Sequence, residues 1–139
     1  MDPFEVVAYV STARPGLTDA DVGEILTTAR AANRRAGITG CLVHDGTRFA
    51  QWLEGPAAAV ESLLLRIDRD ARHGDLRIVL FRPAFRRAFG DWSMAGVLPA
   101  PAGPPLLAPL LDALLVEDEP PEAAVLPFFH VCAELATDR

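Results

Sequence analysis

The chain contains no lysine; all of its 13 basic residues are arginine, against 19 acidic ones, for a formal net charge of −6. The missing lysine is most simply a matter of genome composition. The acidic balance argues against non-specific nucleic-acid binding. There are only two cysteines, Cys41 and Cys132, too few for a disulfide framework, and Cys41 falls in a strand-like run where a buried, inert thiol is expected. No apolar run reaches the roughly 18–20 residues that a membrane span needs. The start, Met1-Asp2-Pro3-Phe4-Glu5, has neither the positive region nor the apolar core of an export signal. A soluble cytoplasmic protein, with no nucleic acid and no membrane among its partners, is the expectation. Catalytic signatures are lacking too: no GxSxG, no phosphate-binding loop, no dinucleotide fingerprint, no CxxC. His44, His73 and His130 have no metal-ligand spacing, so no metal is expected. Cys41 and His44 stand three apart, which in a strand puts them on opposite faces. Glu54 ends a strand beside Gly55-Pro56 with no evident partner.

What is present is enough for one core. Half of the 139 residues are hydrophobic, which fits a single domain. The stretch from Gly37 to Gly55 reads as a β-hairpin, with strand-favouring runs on either side of Asp45-Gly46, both turn positions tolerating positive φ. Alternate strand residues share a face, so Phe49, Gln51 and Leu53 point the same way. An amide thus enters an apolar row, and a buried amide must find partners or cost about 1–3 kcal/mol.

Phe4 to Ser11 reads as a first strand, nearly continuous in apolar residues, as when both faces of a sheet are covered. Tyr9, the chain's only tyrosine, shares a face with Ser11; the plainer reading is a core aromatic with a bonded hydroxyl. Thr18 and Asp21 form a capping-box pattern for a helix whose apolar stripe is Val22, Ile25, Leu26 and Ala29. Asn33 is the next position on that stripe, unless it serves the loose carbonyls of the helix end. Arg34, Arg35 and Gly37 suit that end. Gly55-Pro56 opens a second helix with Val60, Leu63, Leu64 and Ile67 as its stripe. Arg66, Arg69, Asp70, Arg72 and His73 cluster at its far end, mostly explained as a solvated basic terminus. Leu76 to Phe81 is a fourth strand, and Trp92 to Val97 a short last one in which Trp92 and Met94 share a face.

Eight of the 12 prolines lie beyond residue 98. Between them, Leu106 to Val116 and Glu122 to Ala136 read as helices apolar enough to need a partner surface, either the open sheet face or a second subunit. The order βαββαββ predicts an α+β, ferredoxin-like domain over residues 1–98, with two helices on one face and neighbouring first and third strands. Residues 99–139 form a helical extension. Tyr9, Asn33 and Gln51 then converge between the two helices, where a phenol and two amides suit a flat heteroaromatic ligand rather than hydrolysis.

Tyr9-Val10-Ser11, Asn33 with Gly37-Ile38-Thr39-Gly40, Phe49 to Gly55, Asp70-Ala71-Arg72-His73 and Phe89 to Met94 together resemble the BLUF family, blue-light sensors that use FAD. The resemblance runs from about Phe4 to Val97. It implies non-covalent FAD, with FMN or riboflavin as possible substitutes, and a photoreceptor rather than an enzyme. Tyr9 would match the tyrosine that gives an electron and a proton to the excited flavin. Gln51 would match the glutamine whose hydrogen bonds rearrange, and Asn33 the asparagine at the flavin's C4 carbonyl and N3 side. Trp92 and Met94 would relay the change, with Ser11 tuning the tyrosine–glutamine pair. Ile38, Phe49 and Ile67 would line the flavin, and Arg66, Asp70 and His73 would lie by the ring or its ribityl-phosphate end. Ala32 departs from the pattern, since many relatives carry Asn or His there. The output is expected at a protein partner or in a homo-oligomer. The rival reading is a light-insensitive interaction module with a vestigial flavin site; a small enzyme of the same fold has no nucleophile or acid–base pair to recommend it.

Overall fold

The structure, a computed structural model, describes residues 3–90, 94–97 and 107–135. The expectations for Trp92 and for a strand beginning there fall outside those residues. Strand β1 (Phe4–Ala13) is followed by helix α1 (Asp19–Ala36), strands β2 (Thr39–His44) and β3 (Arg48–Pro56), helix α2 (Ala57–Asp68), strand β4 (His73–Pro83), strand β5 (Ala95–Val97) and helices α3 (Leu107–Leu114) and α4 (Glu122–Glu134). The sheet runs β4-β1-β3-β2-β5. Its first four strands pair antiparallel, and β5 lies parallel to β2. The fold is α+β and ferredoxin-like, with β1 and β3 adjacent.

Alternation along β1 divides the protein into two layers of core. Val7 faces Val22 and Leu26 of α1 and Val60 of α2, together with Leu42, Phe49, Leu53 and Met94. Val6, Ala8 and Val10 face the other way, onto Leu107, Leu111 and Leu114 of α3 and Val125, Phe128, Phe129 and Cys132 of α4. Of the two surfaces open to the tail helices, they take the second sheet face of their own chain.

Beside shifts of one or two residues at the ends of β1, β4 and α3, three boundaries differ from the sequence reading for reasons the side chains show. The hairpin turn is a three-residue loop in which Gly46 (φ 104°), but not Asp45, takes positive φ. The Asp45 carboxylate accepts the Thr47 and Arg48 N–H groups and so supplies the turn with its own side chain. Helix α2 stops at Asp68 rather than running to His73, because the Asp70 carboxylate accepts the Arg72 N–H and guanidinium and folds the chain back. Strand β4 therefore starts at His73, not Leu76, so Asp70 lies in the connection between α2 and β4 and His73 on a strand, rather than both at the far end of the helix. The α1 entry keeps its expected form: Thr18 and Asp21 make both bonds of a capping box. It ends at Gly37, whose φ of 74° and N–H bond to the Asn33 carbonyl make it a left-handed cap.

Candidate functional site

Between α1 and α2, above the sheet, lies a cavity of about 210 Å³. One wall is Ile25, Thr28, Ala29, Ala32 and Asn33, successive turns of one face of α1; the other is Leu63, Arg66 and Ile67 of α2. Tyr9, Leu42, Phe49 and Gln51 form the floor, Asp70 and Arg72 line it from the connection after α2, and His73 lines it from the start of β4.

The floor carries a chain of polar contacts. Tyr9 and Gln51 are direct cross-strand partners, and the phenol donates to Gln51 Oε1 at 2.6 Å. The amide's other end, Nε2, donates to Met94 Sδ at 3.5 Å, a contact length suited to sulfur. Met94 is fully buried, and its carbonyl accepts Arg30 Nε of α1 at 2.9 Å. Burial, with the negative charge of Asp70 adding to it, pushes the Tyr9 phenol well above its ordinary value of 10.0, so the hydroxyl keeps its proton.

His73 closes one side. Its Nε2 lies 2.5 Å from the Ile67 carbonyl and its Nδ1 2.6 Å from Ser11 Oγ. A carbonyl only accepts, so Nε2 carries the proton, and in the neutral ring Nδ1 accepts the Ser11 hydroxyl. Its ring stands 6.2 Å from those of both Tyr9 and Phe49. Arg72 grips Asp70 at 2.6 Å, and that bond, outweighing partial burial, holds the Asp70 carboxyl below the usual carboxylate range.

Nine of the residues singled out in the sequence reading meet here: Tyr9, Asn33, Phe49, Gln51, Arg66, Ile67, Asp70 and His73 line the cavity, and Met94 touches Gln51. Ser11 stands behind His73. Ile38 is not on the lining: it is 1% exposed, packed in the helix-side core against the glycine at 55. Trp92 lies outside the described residues. Ile25, Thr28, Ala29, Leu42, Leu63 and Arg72 line the cavity but were not singled out as ligand-facing. The helix period puts Ile25 and Ala29 on the core stripe of α1, and their partial exposure beside buried Val22 and Leu26 is what separates lining from core.

The donor set fits a flavin: apolar helix walls for the fused ring faces, and a phenol and two amides for a carbonyl- and nitrogen-bearing edge. Among the described residues no group of three or more His, Cys, Asp or Glu side chains could hold a metal ion, and no helix is long and apolar enough to cross a membrane.

Residues 5–95 match the family model described as BLUF, sensors of blue light using FAD. A solved structure of BlrB, described as a BLUF protein in its dark state, shares the fold with a TM-score of 0.80 and 32% identity, over 97% of this chain and 99% of that one. The photo-activated state of BlsA gives a TM-score of 0.78 at 25% identity, covering 98% of both chains. A photoactivated adenylate cyclase subunit beta of Euglena gracilis is 37% identical over 89 residues, which is 63% of this chain but only 10% of the cyclase subunit's length.

Proposed function

The chain belongs to the BLUF family of blue-light sensors, and on that premise we propose that it is a photoreceptor which binds FAD non-covalently in the cavity between α1 and α2 and uses Gln51 as its switch. A bound flavin supplies absorption of blue light and, once excited, an acceptor for one electron and one proton. The rest is the work of the chain. Tyr9 is the donor, held protonated by burial. Gln51 lies between that phenol and Met94. As the amide stands, its oxygen accepts the hydrogen bond of the Tyr9 hydroxyl and its nitrogen faces sulfur. Exchanging the amide's ends would turn a donor toward the phenol oxygen and an acceptor toward Met94, which has no proton to give. The Tyr9–Gln51 bond and the Gln51–Met94 contact therefore change together, and Met94 carries the change to β5. A hydrogen-bond exchange of a few kcal/mol can only bias elements that are already nearly balanced.

Asn33 on the α1 wall is assigned to the carbonyl and N3 side of the ring, with Phe49 and Ile67 against it. Arg66, Asp70 and His73 are assigned to its more polar end. FMN or riboflavin would occupy the same cavity, because its lining addresses the ring system. Residues 1–98 are then the sensing unit and 99–139 the output unit, acting on a protein partner or a second copy. The observation that carries the reading is the uninterrupted Tyr9–Gln51–Met94 chain on the cavity floor.

Titration of the purified protein with FAD, followed by blue-light excitation, tests it. Wild-type protein should bind flavin and photocycle. Tyr9→Phe should bind flavin and lose the normal photocycle. A protein that cannot be loaded with any flavin, or a Tyr9→Phe variant that cycles normally, would overturn the reading in favour of an interaction module with a vestigial site.

A further inference from the structure

Glu54 lies outside the cavity, on the opposite face of β3 from Gln51, and is 0% exposed. Its carboxylate accepts four hydrogen bonds. Oε1 takes the Trp52 indole N–H at 2.9 Å and the Ala88 N–H at 2.8 Å; Oε2 takes the Thr39 hydroxyl and the Phe89 N–H, each at 2.8 Å. Arg87 joins the cluster through Thr39, donating to Thr39 Oγ1 at 2.9 Å and to the Gly37 carbonyl at 2.7 Å. A buried carboxylate is costly unless its lone pairs are met, and an apolar side chain would fill the space without that cost. The four bonds reach three places in the chain: the start of β2, the indole beside Gln51, and, through two adjacent N–H groups, the segment that connects β4 to β5.

Among the described residues, that connection is tied to β3 around Glu54, where Arg87 also donates to the Glu54 carbonyl at 3.4 Å, and again at Gln51. Glu54 holds it at residues 88 and 89, and Gln51 holds it at Met94. The tie at Glu54 also sits on the second core, where Trp52 packs on Phe89 and Phe129 with ring centroids 5.8 and 5.9 Å apart, and Phe89 lies 5.0 Å from His130 of α4. We propose that Glu54 is a positioning residue of the light response: by gripping the backbone at 88–89 it holds Met94 in reach of the Gln51 amide. The proposal rests on the photoreceptor reading, and it adds a carboxylate that touches neither flavin nor tyrosine.

The test is a double-mutant cycle on the rate of dark recovery after blue light. In Glu54→Gln one oxygen becomes an amide nitrogen. The Thr39 hydroxyl can turn to accept from it, but the Phe89 N–H loses its carboxylate acceptor. Flavin affinity should stay at the wild-type level, and recovery should slow by at least about threefold as Met94 returns less readily to Gln51. In a Met94→Leu background, which has no sulfur for the amide, Glu54→Gln should change recovery by less than about twofold. Thr39→Val, which removes one donor and the bridge to Arg87 but leaves the carboxylate, should act in the same direction and more weakly; it carries the test if Glu54→Gln does not fold. Equal slowing in both backgrounds would show a merely structural role and overturn the proposal, as would unchanged recovery in both Glu54→Gln and Thr39→Val. A wild-type protein without a light response would instead overturn the photoreceptor reading.

Discussion

At the scale of single residues, the Tyr9 hydroxyl has Gln51 Oε1 as its bonded acceptor and is almost fully buried. Gln51→Leu removes that acceptor and should destabilise the protein by about 1–3 kcal/mol in denaturant unfolding, while abolishing the light-induced shift. Gln51→Glu is the more telling partner variant, because it keeps an acceptor for Tyr9 but offers Met94 no amide proton. Its stability should fall less than that of Gln51→Leu, and its photoresponse should still be lost. The importance of Gln51 was legible in the sequence because strand alternation places it among Phe49 and Leu53, where an amide has no business unless it has partners. Asn33 was legible for the same reason, through the helix period. The four partners of Glu54 were not. They come from residues 39, 52, 88 and 89, and only the Trp52 indole is near in sequence. Two of the donors are backbone N–H groups, which carry no side-chain signal.

At the scale of elements, the hairpin is held at close quarters. A Cβ on Gly40 of β2 would come within 1.8 Å of the Trp52 carbonyl on β3, and backbone cannot yield as a flexible side chain can. Gly40→Ala should therefore separate the two strands at the Cys41–Trp52 pair, costing about 1–3 kcal/mol or more. The measurement is the unfolding midpoint, with flavin affinity falling alongside because Gln51 precedes Trp52. The α1 capping box was legible from Thr18 and Asp21 alone, since its bonds join residues three apart. The end of α2 was not, because Arg66 to His73 keeps a composition that a helix tolerates. What stops the helix is one side chain, Asp70, closing on Arg72, and the pull of β1, along which β4 pairs as far as Ala13–His73. That shift places His73 on a strand beside Ser11 rather than on a helix end.

At the scale of the whole molecule, the sheet has a face that floors the cavity and a face covered by α3 and α4, and the two are separated by one layer of strands. Leu111 of α3 is fully buried on the second face. Leu111→Ala should cost about 2–5 kcal/mol in stability while leaving the absorption of bound flavin in its wild-type position, since no side chain of α3 lines the cavity. Arg48 ties the hairpin to α3 through Asp112 at 2.7 Å, a partly exposed pair worth no more than about 1 kcal/mol. The titrating groups set a broad plateau of stability. Burial works against the Asp45 carboxylate, but its bonds to Thr47 and Arg48 prevail, and Asp45 and Asp70 are both held below the ordinary 3.8. As pH falls past that value the unfolded chain takes up protons first, so their contribution is present above about 4 and lost below it. Tyr9 is raised, so its contribution is present below 10.0 and lost as pH climbs beyond. Glu5, raised by burial and by Glu61, works in the opposite sense to the two aspartates, favouring the fold below its ordinary 4.5 and less above it. Thermal unfolding across pH should show losses at both the acid and alkaline ends of that plateau. That the tail helices would cover something was legible from their apolar content; which surface they cover was not, because the second sheet face and a partner subunit present the same chemistry to a sequence.

The most direct test of the account is the absorption spectrum of the flavin-loaded protein before and after blue light. A red-shifted flavin spectrum that returns in the dark is expected in wild type and should be absent in Gln51→Leu. A flavin-loaded wild-type protein whose spectrum does not move, or a Gln51→Leu variant that shifts and recovers as wild type does, would contradict it.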